Sequence, residues 1–348
     1  MNMNKARDAA FQILERVQAG GYASDLLRRE TLSERDAALA ETIVMGSLRY
    51  QNQLDFLIDH FSGQHPKLDA EVRIALRMGI FQLRYLDRIP AHAAVAESVE
   101  LVKRARKRSA AGLVNAVLRK VNRDPVEWPS LAVACSVPVW MLARWDAQYG
   151  PEAAEKIARA ALEEPRGYMN PETRRQQDIG AQSIVPLLEI EPGMMVLDLC
   201  AAPGNKTAQA IAAGARVIAS DRYFNRLSEV PREAMRVVLD ASEPLPFAAN
   251  FDRILIDAPC SGTGTLARNP EIKWRLKPLD PRGFQDRQKK MLAQGLAHLK
   301  SGGILVYSTC SLEHEENEDV IEGHAARIHT RIPGRDPGDG FFAAMIAK

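Results

Sequence analysis

The chain has 348 residues, 46% hydrophobic and 26% charged, with 46 Lys and Arg against 44 Asp and Glu for a net charge of +2. That composition excludes disordered, collagen-like and coiled-coil chains, and the length suits two folded domains. No segment approaches the ~18 to 20 apolar residues of a membrane helix, and the N-terminal MNMNKARDAA lacks the apolar core of a signal peptide, so a cytoplasmic protein is expected. Its four cysteines, at 135, 200, 260 and 310, include no Cys-x-x-Cys pair, which predicts reduced thiols, no disulfide framework and no metal.

From Ala6 to about Arg123 the apolar spacing is helical. Ala10, Ile13, Leu14 and Val17 mark one face, and Ile74, Leu76, Met78, Ile80, Phe81 and Leu83 fill another helix. Ser33 reads as a helix cap with Glu34 and Asp36 in the first turn, and Pro90 opens a helix through Val95, Val99 and Val102. Residues 1–130 are therefore expected to form an all-α bundle. They hold 20 basic and 16 acidic residues, and the excess concentrates in Lys103, Arg104, Arg106, Lys107 and Arg108, a run that suits either RNA phosphates or a solvated helix end. Prolines 125, 129, 138, 151, 165 and 171 mark a connector, assigned to 131–176. A smaller basic group, Lys273, Arg275 and Lys277, follows a loop that reads as catalytic.

After Asp178 the pattern changes to short β-branched runs separated by helix-length segments: MMVLDL, ARVIAS, RVVLD, RILIDA and GILVYST. These are the buried parallel strands of an α/β domain over 177–348. Asp198, Asp221, Asp240, Asp257 and Cys310 fall at or just beyond the strand ends, where open α/β sheets bind ligands. A single terminal Asp is most often a helix cap, but four in register mark a crevice.

Asp198-Leu-Cys-Ala-Ala-Pro-Gly-Asn-Lys-Thr207 joins the first strand to a helix. It lacks the glycine spacing of a P-loop and of a dinucleotide fingerprint. A small-residue turn followed by Asp221, placed to accept ribose hydroxyls, suits an adenosyl cofactor without a pyrophosphate. S-adenosylmethionine fits, with Asp240 toward the adenine edge. Asp257-Ala-Pro-Cys-Ser-Gly-Thr-Gly264 and Tyr307-Ser-Thr-Cys-Ser311 then bring Cys260 and Cys310 into one pocket with Asp257. Carbon 5 of a pyrimidine is a poor nucleophile until a thiolate adds at carbon 6, which is why such methyl transfer uses a cysteine. Asp257 would hydrogen-bond the cytosine edge. Residue types alone do not rank the two cysteines.

DLCAAPGNKT, DAPCSGTG and YSTCS together resemble the RNA cytosine-5 methyltransferases, specifically the bacterial small-subunit ribosomal RNA methyltransferase B family. Gln288, LKSGGILVYSTCSLEHEENE and the terminal DGFFAAMIAK extend the likeness. RIPAHAAVAESVELVK and GLVNAVLRKVN are similar to the NusB-like domain of that family. The resemblance implies an RNA-binding helical domain, a Rossmann-like methyltransferase domain, S-adenosylmethionine as donor and a cytidine of small-subunit rRNA as target. It carries the cofactor loop onto Cys200, Ala201, Ala202, Pro203, Gly204, Asn205 and Lys206. The ribose carboxylate falls on Asp221, the adenine-side one on Asp240, and the base- and cofactor-contacting one on Asp257. The nucleophile falls on Cys310 and the product-release cysteine on Cys260, with Lys206 pointing into the pocket.

The chain also departs from that pattern. Asn205 stands where the family has a second glycine, and the interval from Asp221 to Asp240 is short. PRGYMN (165–170) and QQDIGAQ (176–182) resemble the two edges of an RNA-binding subdomain that is otherwise missing. Two other readings are a non-catalytic RNA-binding or ribosome-assembly factor and a methyltransferase for another RNA such as tRNA, a small molecule or a protein.

Overall fold

The structure, a computed structural model, describes residues 5–63 and 67–348. Met1–Asn4, part of the stretch read for a signal peptide, lie outside them. The chain forms two compact units: Met1–Asp146 with Asn269–Arg275, and Ala147–Arg268 with Leu276–Lys348. Among the described residues no helix is long and apolar enough to cross a membrane.

The first unit is helical, and its helices follow the apolar periodicity. Ala10, Ile13, Leu14 and Val17 are buried on the helix Lys5–Gln18, and Ile74, Leu76, Met78, Ile80 and Phe81 on Ala70–Tyr85. Ser33 Oγ accepts the Asp36 amide, and Pro90 precedes Ala91–Arg104. This unit continues beyond residue 130, where the sequence suggests a connector, because Asn52 and Gln53 side chains donate to the carbonyls of Val137 and Ala134. Met141 and Trp145 complete the burial.

Lys273, one of the small basic group that follows the catalytic loop, is 1% exposed in this unit. Its Nζ donates to the Arg49 carbonyl at 2.8 Å, and Trp274 Nε1 donates to the Leu48 carbonyl at 2.7 Å. The basic run is also less free than its sequence implies. Lys103 pairs with Glu100, Arg104 with Asp8 and Glu97, and Lys107 with Asp69 and Glu71. Arg106 and Arg108 have no carboxylate partner among the described residues.

The second unit holds a seven-stranded sheet: β1 (Met195–Asp198), β2 (Arg216–Asp221), β3 (Met235–Val238), β4 (Phe251–Asp257), β5 (Leu299–Thr309), β6 (Ala326–Arg331) and β7 (Phe341–Ala347). The order is β3-β2-β1-β4-β5-β7-β6. The first five strands are the five apolar runs, paired in parallel; β7 runs antiparallel between β5 and β6. Strand order reverses between β1 and β4, so a crevice opens at their carboxyl ends. Before the sheet, Tyr168–Gln177 turns back on itself: Asn170 N donates to Arg175 O at 2.9 Å and Gln177 N to Tyr168 O at 3.0 Å. This hairpin joins the segments 165–170 and 176–182 directly.

Candidate active site

β1 ends at Asp198, and the loop after it passes through small residues to Gly204, the cap of the helix Asn205–Ala212. Gly204 has φ +97°, and a Cβ there would lie 2.7 Å from Val230 Cα, so both conformation and space require glycine. Asn205 carries no such demand. It begins the helix with ordinary backbone, donates to the Gln176 carbonyl at 3.2 Å and accepts from Arg175 at 3.4 Å. The side chain thus ties the loop to the hairpin segment.

Two cavities border this loop. One of about 310 Å³ is lined by Cys200, Ala202, Asp221, Asp257, Cys260 and Cys310. The other, about 300 Å³, is lined by Asp198, Ala201, Pro203, Asn205 and Lys206, and shares Cys200, Ala202 and Asp257 with the first. Asp257 therefore faces both. Its Oδ2 receives Lys206 Nζ at 2.7 Å and its Oδ1 receives Ser308 Oγ at 3.0 Å.

The other strand-end carboxylates differ in what they face. Asp221, 5% exposed, accepts the Tyr223 amide at 3.0 Å and pairs with Arg226 at 3.3 Å. Asp240 does not line the first cavity, although its neighbours Leu239 and Ala241 do. Its carboxylate is held by Ser242, Arg287 and Arg222, and the Ser242 hydroxyl leads the contacts that lower its pKa to about 2. Asp198, assigned no role from the sequence beyond its strand end, is 1% exposed. Its Oδ2 accepts from Thr207, and its Oδ1 is buried with no hydrogen-bond partner among the described residues. Burial raises this carboxyl to about 7. Burial likewise raises the Cys200 thiol, reinforced by Asp198 and Asp257, so Cys200 stays protonated.

Cys260 follows β4 and Cys310 follows β5. The pairing of Asp257 with Ser308 puts the two strand ends level, and the sulfurs meet at 3.4 Å without forming a disulfide. The loops touch closely: Gly264 N donates to the Cys310 carbonyl at 2.9 Å, and a Cβ on Gly264 would lie 2.8 Å from that oxygen. The hydrogen bond with Cys310 and burial push the Cys260 thiol well up. Sequence reasoning brings both cysteines, Asp257 and Lys206 to this place but misses Ser308 and Glu316. Glu316 lies in the acidic stretch EHEENE, where nothing separates a buried carboxylate from a solvated one.

The family model for 16S rRNA methyltransferase RsmB/F matches residues 185–332, and that of the NusB family matches residues 4–123. The ribosomal RNA small subunit methyltransferase B of Thermus thermophilus is 35% identical, over 94% of this chain and 89% of its own. This chain belongs to the ribosomal RNA small subunit methyltransferase B family. It is an RNA methyltransferase, with a NusB-type helical domain ahead of its methyltransferase domain. The family member of Klebsiella pneumoniae is 31% identical over 100% of this chain and 99% of its own. That alignment spans 428 positions, 80 more than the 348 residues here. Among solved structures, PH0851 shares the fold at TM-score 0.78 and 18% identity, covering 100% of this chain and 99% of its own. A methyltransferase homolog from Pyrococcus horikoshii does so at TM-score 0.53 and 23% identity, over 64% of this chain and 100% of its own.

The methyl donor of this methyltransferase is S-adenosylmethionine, and the residues present fit it. The orphaned Asp198 Oδ1 is an acceptor of the kind an α-ammonium needs. Asp221 borders the first cavity, where a ribose would find an acceptor.

Proposed function

We propose that this enzyme methylates carbon 5 of a cytidine in small-subunit rRNA, in the cytoplasm, through a covalent adduct on Cys310. The observation that carries the reading is the 3.4 Å contact of Cys260 and Cys310 in a cavity that Asp257 also lines.

Cys310, as thiolate, forms a bond to carbon 6 of the cytosine, and the displaced electron pair makes carbon 5 nucleophilic. Asp257, positioned by Lys206 and Ser308, accepts a hydrogen bond from the amino group of the base and relays the proton given up by the Cys310 thiol to N3, which neutralises the charge that builds on the ring as sulfur adds. S-adenosylmethionine, when bound, supplies the electrophilic methyl group. Release requires the carbon 5 proton to leave and its electron pair to rebuild the ring double bond as the bond from Cys310 to carbon 6 breaks. Cys260, the neighbouring sulfur, takes that proton in its thiolate form. The tight hairpin at Tyr168–Gln177 and the 80 further positions in the Klebsiella alignment support the reading that an RNA-holding subdomain is lost here.

The test is transfer of labelled methyl to unmodified small-subunit rRNA, with tRNA as a second substrate. Wild type is expected to form 5-methylcytosine in the rRNA, and Cys310→Ala none. Cys260→Ala is expected to retain a protein–RNA adduct on a denaturing gel. Full transfer by Cys310→Ala would refute the mechanism, and incorporation into tRNA alone would move the substrate.

A further inference from the structure

The loops after β4 and β5 each carry a cysteine, but adjacent strand ends do not by themselves bring two particular sulfurs into contact. One carboxylate spans both loops. Glu316, 0% exposed, ends the short turn His314–Glu316. On the first loop it accepts Ser261 N at 2.8 Å and the Ser261 hydroxyl; on the second it accepts Ser311 Oγ at 2.6 Å. Gln288 Nε2 completes the set at 3.2 Å and also donates to the Pro259 carbonyl at 3.0 Å. Each bridged serine is the chain neighbour of a cysteine. Tyr307 anchors the turn itself, donating to the Glu316 carbonyl at 2.6 Å.

Every hydrogen bond to this carboxylate comes from a neutral donor, and among the described residues no Lys or Arg pairs with it. Enclosing a charge in that way is expensive, and burial raises its pKa. Packing alone would be served as well by an uncharged side chain of similar volume.

We propose that Glu316 is a positioning residue for methyl transfer: it clamps the two cysteine loops so that Cys260 and Cys310 meet. The inference rests on the two-cysteine reading above. Beside the hydrogen bond with Cys310 and burial, the Glu316 charge contributes to the upward shift of the Cys260 thiol.

The experiment compares full-length wild type, Glu316→Gln, Ser311→Ala and Cys310→Ala. It reads kcat for methyl transfer, the Kd of S-adenosylmethionine, the thermal midpoint, and the pH profile of Cys260 alkylation by iodoacetamide, followed by peptide mass spectrometry. Glu316→Gln is expected to keep the cofactor Kd while kcat falls at least about tenfold, in line with the cost of misplacing reacting groups. Its Cys260 alkylation should move to lower pH. Ser311→Ala, which removes one tie but leaves the charge, should lower kcat less and leave the profile in place. It carries the test if Glu316→Gln does not fold.

Wild-type kcat in these variants overturns the proposal. So does an unmoved alkylation profile in Glu316→Gln, or a kcat that falls only in step with cofactor affinity and thermal midpoint. Cys310→Ala separates the two levels. If it retains full transfer, the two-cysteine reading fails; if it is inactive while Glu316→Gln is normal, only the role of Glu316 fails.

Discussion

Lys206 Nζ lies 2.7 Å from Asp257 Oδ2, a contact between the first turn of a helix and the end of a strand 51 residues further on. The ammonium also sits 5.2 Å from the centre of the Phe341 ring. The Asp257 carboxylate, proposed above to hold a base edge, is fixed in place by this pair, with its second oxygen on Ser308.

Replacing Lys206 by Met leaves Asp257 facing the cavities without its cation. Loss of one such preorganised electrostatic partner is expected to lower kcat by roughly 100-fold. Arg is expected to rescue poorly, because its planar fork does not reproduce a point charge over the ring. Single-turnover methyl transfer under saturating cofactor measures this, and a rate within about twofold of wild type for Lys206→Met would remove Lys206 from the machinery.

Asp198 sets a pH dependence. Its carboxyl is raised to about 7, so the ionised form that attracts an ammonium accumulates as pH rises through that value. Affinity for S-adenosylmethionine should therefore increase roughly eightfold between pH 6 and 7.5. Calorimetric titration of Asp198→Asn alongside subtracts the titration of the cofactor itself. Parallel pH curves for the two proteins would show that Asp198 does not meet the ammonium.

Lys273 makes the stability of the helical unit depend on pH. Burial lowers its pKa from 10.5 to about 7 in the folded chain. Between those values the unfolded chain binds more proton, so stability rises with pH from 7 toward 10.5 and levels off below 7. Lys273→Met should lack this rise. All four tryptophans, 128, 140, 145 and 274, belong to this unit, so urea unfolding followed by tryptophan fluorescence at pH 7 and pH 9 reads it directly. Equal midpoint shifts in wild type and variant would mean that Lys273 is charged where it is buried.

Much of the fold is legible in the residues because its signals are local. The helical spacing around Ile74–Phe81 and the five β-branched runs ending in polar residues each need only a few neighbours to be read. β6 escaped because Ala326–Arg331 is polar and largely exposed, and it joins the sheet by pairing with β7. The reactive residue types are equally local: a cysteine just beyond a strand, a carboxylate at a strand end, a glycine before a helix.

The sequence alone determined the two kinds of unit and the chemistry available at the sheet's carboxyl edge. The tertiary structure decided which charges are free and which hold the site together, because their partners lie far apart along the chain. Arg104 meets Asp8 across 96 residues, leaving Arg106 and Arg108 without a carboxylate partner among the described residues. Lys273 is drawn into the helical unit against the Arg49 carbonyl, 224 residues away, where no charge count would put it. Glu316 reaches Ser261 across 55 residues, which is how one glutamate of an acidic stretch comes to lie between two cysteines.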